Sequence, residues 1–178
     1  MIFNASLQKG QFPSAWKTSV VVPIPKGKRD RRVVSSYRPI SLTSSTSKVL
    51  ERLAHWQILS YLLKNNLISP RQFGFLPGRS TLLELAIVVH QMQTTIADSS
   101  DQYIRGVFLD RSNAFDEVWH AGLLAKLSSM GFNPKWFSCY LSGRSIYPRV
   151  DDQASPVAPI KAGVPQGTVW VLYCSCAM

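Results

Sequence analysis

The sequence predicts an α/β (α+β) fold, and three observations carry that prediction. Val20–Val22 is a β-branched run that a basic turn sends back on itself. Apolar residues recur every three or four positions from Val49 to Leu63 and from Leu85 to Ile96. A short apolar run, Val107 to Leu109, leads through a carboxylate into a third such pattern that ends at Gly131. With 178 residues the chain is long enough to bury one core.

Charge and cysteine content narrow the function classes. Twenty Lys and Arg against 10 Asp and Glu leave a net charge of +10, which suits a polyanionic partner. Cys139, Cys174 and Cys176 form neither a disulfide framework nor a four-ligand zinc pattern, so an intracellular, reduced protein is expected, with nothing in the cysteines to choose between nucleus and cytoplasm. No apolar run approaches the ~18 residues a membrane helix needs, and the first residues lack the basic and apolar regions of a secretion signal.

Residues 1 to 16 read as the tail of a helix and a loop, with Ile2, Phe3 and Leu7 at helical spacing and Gly10 and Pro13 ending the pattern. From Lys17 to Ile40 a strand, a basic turn and a return are expected. Lys26, Lys28, Arg29, Arg31 and Arg32 crowd that turn, either as a solvated hairpin tip or as a finger over a phosphate backbone. Ser41 to Leu67 reads as a long helix, capped by its Ser and Thr residues, with Val49, Leu53, Trp56, Leu59 and Leu63 as its packing stripe. His55 lies beside that stripe as a structural residue.

The next span, I-S-P-R-Q-F-G-F-L-P-G-R-S-T, holds two glycines and two prolines and demands a fixed irregular loop. Thr81 with Glu84 reads as a capping box opening a helix to about Ala97, with Leu85, Val88, Met92 and Ile96 buried. In Ile104–His120 the apolar run is expected to enter the interior as a strand and deliver Asp110 at its end. A buried, unpaired carboxylate is costly, so Asp110 asks for a cation; the alternative is that Asp110 or Asp116 caps the following helix. Trp119, Leu123, Leu124, Leu127 and Met130 give that helix its apolar stripe.

Asn133 and Pro134 open a short helix, Trp136 to Leu141, which Gly143 closes. Arg144–Val150 and Val157–Ala162 read as strands of a hairpin joined by D-D-Q-A-S-P. Its adjacent acids, Asp151 and Asp152, are solvated turn residues, since no apolar strand delivers them. Gly163 to Gly167, G-V-P-Q-G, is a loop able to pass close to a base pair.

F-L-D-x-S-x-A-F-D-x-V-W-H, at residues 108–120, resembles the first catalytic block of reverse transcriptases from non-LTR (LINE/jockey-like) retrotransposons. Further strings follow that family's order: L-x-x-G-x-F-P-x-x-W-K before the fingers, P-I-P-K-x-x-K with Y-R-P-I-S-L in the fingers, Q-F-G-F-x-P-G-R-S-T on the template-handling side, and G-V-P-Q-G. The resemblance implies a partial right-hand polymerase, fingers plus the first part of the palm. It implies Asp110 as the catalytic residue and ligand of Mg²⁺, and Phe115 as the residue beneath the nucleotide sugar that excludes a 2′-hydroxyl. Lys26, Arg38 and Gln166 become nucleotide contacts, Arg38 through a bidentate fork. Arg71, Gly74, Arg79, Pro165 and Gly167 become template or primer contacts, although Arg71 and Arg79 read equally as surface arginines. The implied partners are an RNA template, a DNA primer and deoxynucleoside triphosphates, with no membrane.

Departures from the family pattern are also visible. Arg111 stands where an apolar residue is usual and Asn113 where Lys is common, and Leu76 replaces a residue that is often Arg. The expected organisation is an upstream remnant at 1–16, a polymerase segment at 17–168 and a tail at 169–178 that leaves the family pattern. The later block with two adjacent aspartates is not found, so a two-ion site is not expected to assemble from this chain alone. The alternative function is a non-catalytic, basic nucleic-acid-binding module.

Overall fold

A computed structural model of the chain describes residues 1–27, 30–97, 103–110 and 115–165. These fall into two compact units, one formed by residues 1–67 with 113–178 and the other by 68–112. In the first unit, α1 (Ile2–Lys9) ends at Gly10 in the left-handed region, φ 63°, as the glycine-stopped pattern predicts. β1 (Thr18–Pro25) and β2 (Tyr37–Leu42) form the expected hairpin, with Val21 opposite Ser41 and Pro23 opposite Pro39. α2 (Ser45–Lys64), α4 (His120–Ser129) and α5 (Lys135–Leu141) follow; α3 belongs to the other unit. β3 (Ser145–Val150) then runs parallel to β1, with Val20 beside Tyr147. The sheet is therefore mixed, antiparallel between β1 and β2 and parallel between β1 and β3.

The second hairpin is tighter than the sequence suggested. β4 (Gln153–Ala154) already pairs with β3, so Asp151 and Asp152 alone make the turn, Asp151 adopting φ 51°. β5 (Ala158–Pro159) resumes the pairing along β3. Asp152 is fully solvated and stands 3.9 Å from Arg149.

The buried apolar residues of this unit come chiefly from α2, α4 and α5. Leu50, Ala54, Ile58, Leu59 and Leu62 of α2 are buried, as are Leu123 and Leu127 of α4 and four residues of α5. This corrects the expected α2 stripe: Val49, Leu53, Trp56 and Leu63 are exposed, Trp56 by 61 %. The helix was placed correctly, but its packing face is rotated by one position. Two polar residues explain the error, because the buried row also contains Ser47 and Glu51, whose side chains bond each other at 2.6 Å. That bond lets a carboxylate occupy a core position that apolar periodicity assigns to solvent. No side chain caps α2 at Ser44.

Aromatic packing ties the N-terminal segment to α5. Phe12 meets Tyr140 edge-on at 4.9 Å and Trp136 at 5.7 Å, and the Trp136 indole donates to Ser6 Oγ at 3.1 Å. The buried Arg144 guanidinium lies over the Tyr140 ring at 4.6 Å. α4 begins one residue later than its stripe suggested: Trp119 is the N-cap and 75 % exposed.

The second unit holds the loop 68–80, α3 (Thr81–Ala97) and the extended segment 103–110. Ser80, one residue before the expected Thr81, accepts from Leu83 N–H at 3.2 Å, so the Thr81–Glu84 box does not form. No residue of α3 is buried; Val88 and Met92 are half-buried, while Leu85 and Ile96 are exposed. The apolar run before Asp110 also departs from expectation. Residues 103–110 form no strand, and Val107, Phe108 and Leu109 are exposed, Leu109 by 94 %. A strand is buried only when neighbours pair with it, and among the described residues none pairs with this one.

Candidate nucleotide site

The first unit joins two segments that lie far apart in sequence. Residues 115–117 make a turn, Val118 is buried, and Trp119 and His120 lead into α4. Against this segment lies the loop that follows β5. Gly163 N–H donates to Val118 O at 3.0 Å, and Val164 N–H donates to Phe115 O at 2.8 Å. The His120 ring closes the junction, its Nε2 standing 2.7 Å from Gly163 O. A carbonyl can only accept, so Nε2 carries the proton of this bond.

A cavity of about 280 Å³ opens beside the junction, lined by Val21, Pro39, Ser41, Asp116, Ile146 and Pro165 among others. Its walls come from β1, β2 and β3 and from the Gly163–Pro165 loop. The lining residues are apolar apart from Asp116 and Ser41 and include no cation, a combination suited to a neutral ring or sugar and unfavourable to a phosphate.

The predicted site residues are distributed as follows. Phe115 and Pro165 are brought together at this junction. Lys26 follows β1, where its Nζ donates to Ser35 O at 3.0 Å and its N–H to Ser36 O at 2.7 Å, closing the base of the hairpin. Arg38 is exposed on β2 opposite Ile24. Strand alternation sets it on the face opposite to Pro39 and Ser41. Arg71, Gly74, Arg79 and Asp110 belong to the other unit. Gln166 and Gly167 lie outside the described residues, as do Lys28, Arg29, Arg111 and Asn113.

In the second unit Arg79 organises its own loop. Its Nη1 donates to the carbonyls of Pro70 at 2.8 Å and Ser69 at 3.2 Å, and to that of Gln72, while the guanidinium lies over the Phe73 ring at 5.6 Å. Arg71 is exposed, and a Cβ on Gly74 would meet nothing within 4 Å. Asp110 is exposed, not delivered into an interior. Among the described residues no group of three His, Cys, Asp or Glu side chains could hold a metal ion. The donors described supply Asp110 as one carboxylate and do not fit a two-ion centre. Sequence reasoning missed His120 and Ser41; the signal for His120 is its fixed place at the end of F-D-x-V-W-H.

Residues 24–174 match the family described as reverse transcriptase (RNA-dependent DNA polymerase). The chain belongs to that family. It is 39 % identical over 178 residues to the probable RNA-directed DNA polymerase from transposon X-element of Drosophila melanogaster, covering 98 % of this chain and 19 % of that protein. The RNA-directed DNA polymerase from mobile element jockey of the same species is 38 % identical over 172 residues, 95 % of this chain and 18 % of that protein. The chain thus spans about a fifth of these relatives and corresponds to a fragment of a reverse transcriptase of non-LTR retrotransposon type. Reverse transcriptases as a family work with divalent metal ions. No helix among the described residues is long and apolar enough to cross a membrane.

Proposed function

We propose that residues 17–168 are the fingers and first palm portion of an RNA-directed DNA polymerase, and that the whole polypeptide extends a DNA primer along an RNA template with deoxynucleoside triphosphates. The family match overlaps nearly all of this segment and enters the 169–178 tail. One observation carries the site assignment: the Phe115 turn and the Gly163–Pro165 loop close on each other beside a cavity walled by the β1–β2 hairpin. That cavity receives the sugar and base of the nucleotide, with Phe115 as the group that excludes a 2′-hydroxyl. Gln166 and Gly167 continue the loop toward nucleotide and template.

Phosphates, for which the cavity lining offers no cation, are left to Lys26 at the base of the hairpin and to Arg38. Arg38 stands on the face of β2 turned from the cavity and so would meet the phosphate tail outside it. Arg71, Gly74 and Arg79 stand on the template-handling side. Mg²⁺ is the ion assigned to Asp110, and further ligands come from outside the residues described. The protein acts where RNA and primer meet, in the nucleus or cytoplasm.

The test is binding of a fluorescent RNA template–DNA primer to the 178-residue chain across a KCl series, beside a primer-extension assay. Affinity should fall steeply with salt as phosphate contacts release counterions, with no extension by this chain alone. Binding that ignores salt, or none at all, rules the proposal out. Phe115→Ala should reduce the preference for dATP over ATP; an unchanged preference removes Phe115 from the sugar site.

A further inference from the structure

The junction between the Phe115 turn and the Gly163 loop depends on one side chain that no part of the proposed site requires for direct contact. His120 caps neither loop nor ligand. Its ring Nε2–H reaches across 43 residues of sequence to the Gly163 carbonyl at 2.7 Å. The other two bonds of the junction, Gly163 N–H to Val118 O and Val164 N–H to Phe115 O, are backbone bonds that use no side chain. Gly163 is in the left-handed region, φ 81°, and its Cα lies so close to the Asp116 and Phe115 carbonyls that a Cβ would overlap them. The two peptides flanking its Cα both meet the turn, the first through Gly163 N–H to Val118 O and the second through Val164 N–H to Phe115 O, with its C=O toward His120.

We propose that His120 is a positioning residue for nucleotide selection: by holding the Gly163 carbonyl it fixes the Gly163–Pro165 loop against the Phe115 turn. This inference rests on the nucleotide reading of the cavity. The physical case is one of precision. The loop supplies Gly163, Val164 and Pro165 to the cavity wall and the turn supplies Asp116, while Phe115 beside it holds Val164 N–H through its carbonyl. A group that excludes one hydroxyl works only when the opposite wall is held to within about 0.5 Å. Backbone bonds alone leave the Gly163–Val164 peptide tied at one end, by Val164 N–H to Phe115 O, and free to tilt about that bond. The imidazole removes that freedom, because it is itself anchored at the first residue of α4 with Leu123 N–H bonded to Trp119 O at 3.1 Å.

The test compares His120→Phe, which keeps a ring and loses the donor, with His120→Gln, whose amide Nε2 reaches nearly the same point and restores it. Two quantities are read on the full 178-residue chain in MgCl₂: hydrogen exchange at the Gly163 and Val164 amides, and the affinities for dATP and ATP. In His120→Phe, exchange at both amides should accelerate about 3- to 10-fold, the fold-change of one hydrogen bond of ordinary net strength. The dATP:ATP affinity ratio should fall by a similar factor, and His120→Gln should recover both. Unchanged exchange in His120→Phe, or an unchanged ratio where dATP binds, overturns the proposal.

A parent chain that binds neither nucleotide overturns the cavity's assignment, and with it selection by His120; amide exchange then still decides whether His120 seats the loop. One measurement needs no variant. At pH 8 the ¹⁵N shifts of the parent's His120 must report the Nε2–H tautomer, and an Nδ1–H tautomer overturns the proposal even where His120→Phe fails to fold.

Discussion

A Cβ on Gly163 would stand 2.5 Å from the carbonyl oxygen of Asp116 and 2.7 Å from that of Phe115. Both carbonyls belong to backbone, which cannot swing aside as a side-chain tip can. Gly163→Ala therefore meets two penalties together. The left-handed backbone costs a β-carbon residue about 1–2 kcal/mol, and relief of the overlap requires the loop to leave the turn. We expect Gly163→Ala to destabilise the first unit by about 2 kcal/mol or more, on the scale of other severe single-site losses, and to weaken dATP binding. Urea unfolding measures the first effect. A loss under about 0.5 kcal/mol, the range of ordinary surface changes, shows that the close approach is not maintained in solution.

The sequence made part of this site legible and hid the rest for physical reasons. Elements with strong local chemistry were readable: the glycine stop of α1, the β1–β2 hairpin, and the Asn133–Pro134 start of α5, where Asn133 Oδ1 accepts from Lys135 N–H at 2.9 Å. Faces and partners were not. α2 was misread because Glu51 lies at a core position only with Ser47 bonded to it, and no periodicity shows such a pair. The run Val107–Leu109 was read as buried on hydrophobicity alone, although burial needs strands elsewhere in the chain to pair with it. The Gly163–Asp116 approach joins segments 47 residues apart, a distance that motif order suggests and only coordinates measure.

The rotated face of α2 can be tested by two leucines three positions apart. Leu50 is fully buried and Leu53 is 45 % exposed. Leu50→Ala should cost about 2–5 kcal/mol through lost burial and an unfilled cavity. Leu53→Ala should stay within about 0.5 kcal/mol, as surface changes do. Thermal melts of the two variants side by side decide the question. The reverse ranking would restore the stripe that periodicity suggested.

Ser47 and Glu51 form a buried pair whose removal is asymmetric. Ser47→Ala deletes a donor to a carboxylate with no solvent contact, and hydrogen bonds to charged groups are worth about 1.5–3 kcal/mol. A loss in that range is expected by urea unfolding. The double variant Ser47→Ala with Glu51→Leu should be less unstable than Ser47→Ala alone, because the buried carboxyl is then replaced by an apolar group along with its donor. Equal stability of the single variant and the parent would show the bond to be dispensable.

Arg79 holds the 68–80 loop by pointing one nitrogen at three carbonyls while its plane covers Phe73. Lysine keeps the charge and loses the planar group that does both. Arg79→Lys should therefore open the loop, seen as faster cleavage within 68–80 under limited proteolysis, whereas Arg71→Lys should leave the cleavage rate as it is. Equal rates for both variants would reassign Arg79 to the surface.

His55 connects the α2 core to pH. Burial holds its imidazole below the ordinary value of 6.5, because the charged form loses hydration there. The unfolded chain then binds a proton at His55 at a higher pH than the folded chain does. Its contribution to stability is complete above the unfolded value and is lost progressively as pH falls from there toward the depressed folded value. His55→Gln cannot titrate and should show no such term. Unfolding free energies of parent and variant, measured between pH 7.5 and 5, should diverge as pH falls, the parent losing more. Curves that stay parallel would mean that the His55 ring keeps its hydration in the folded chain.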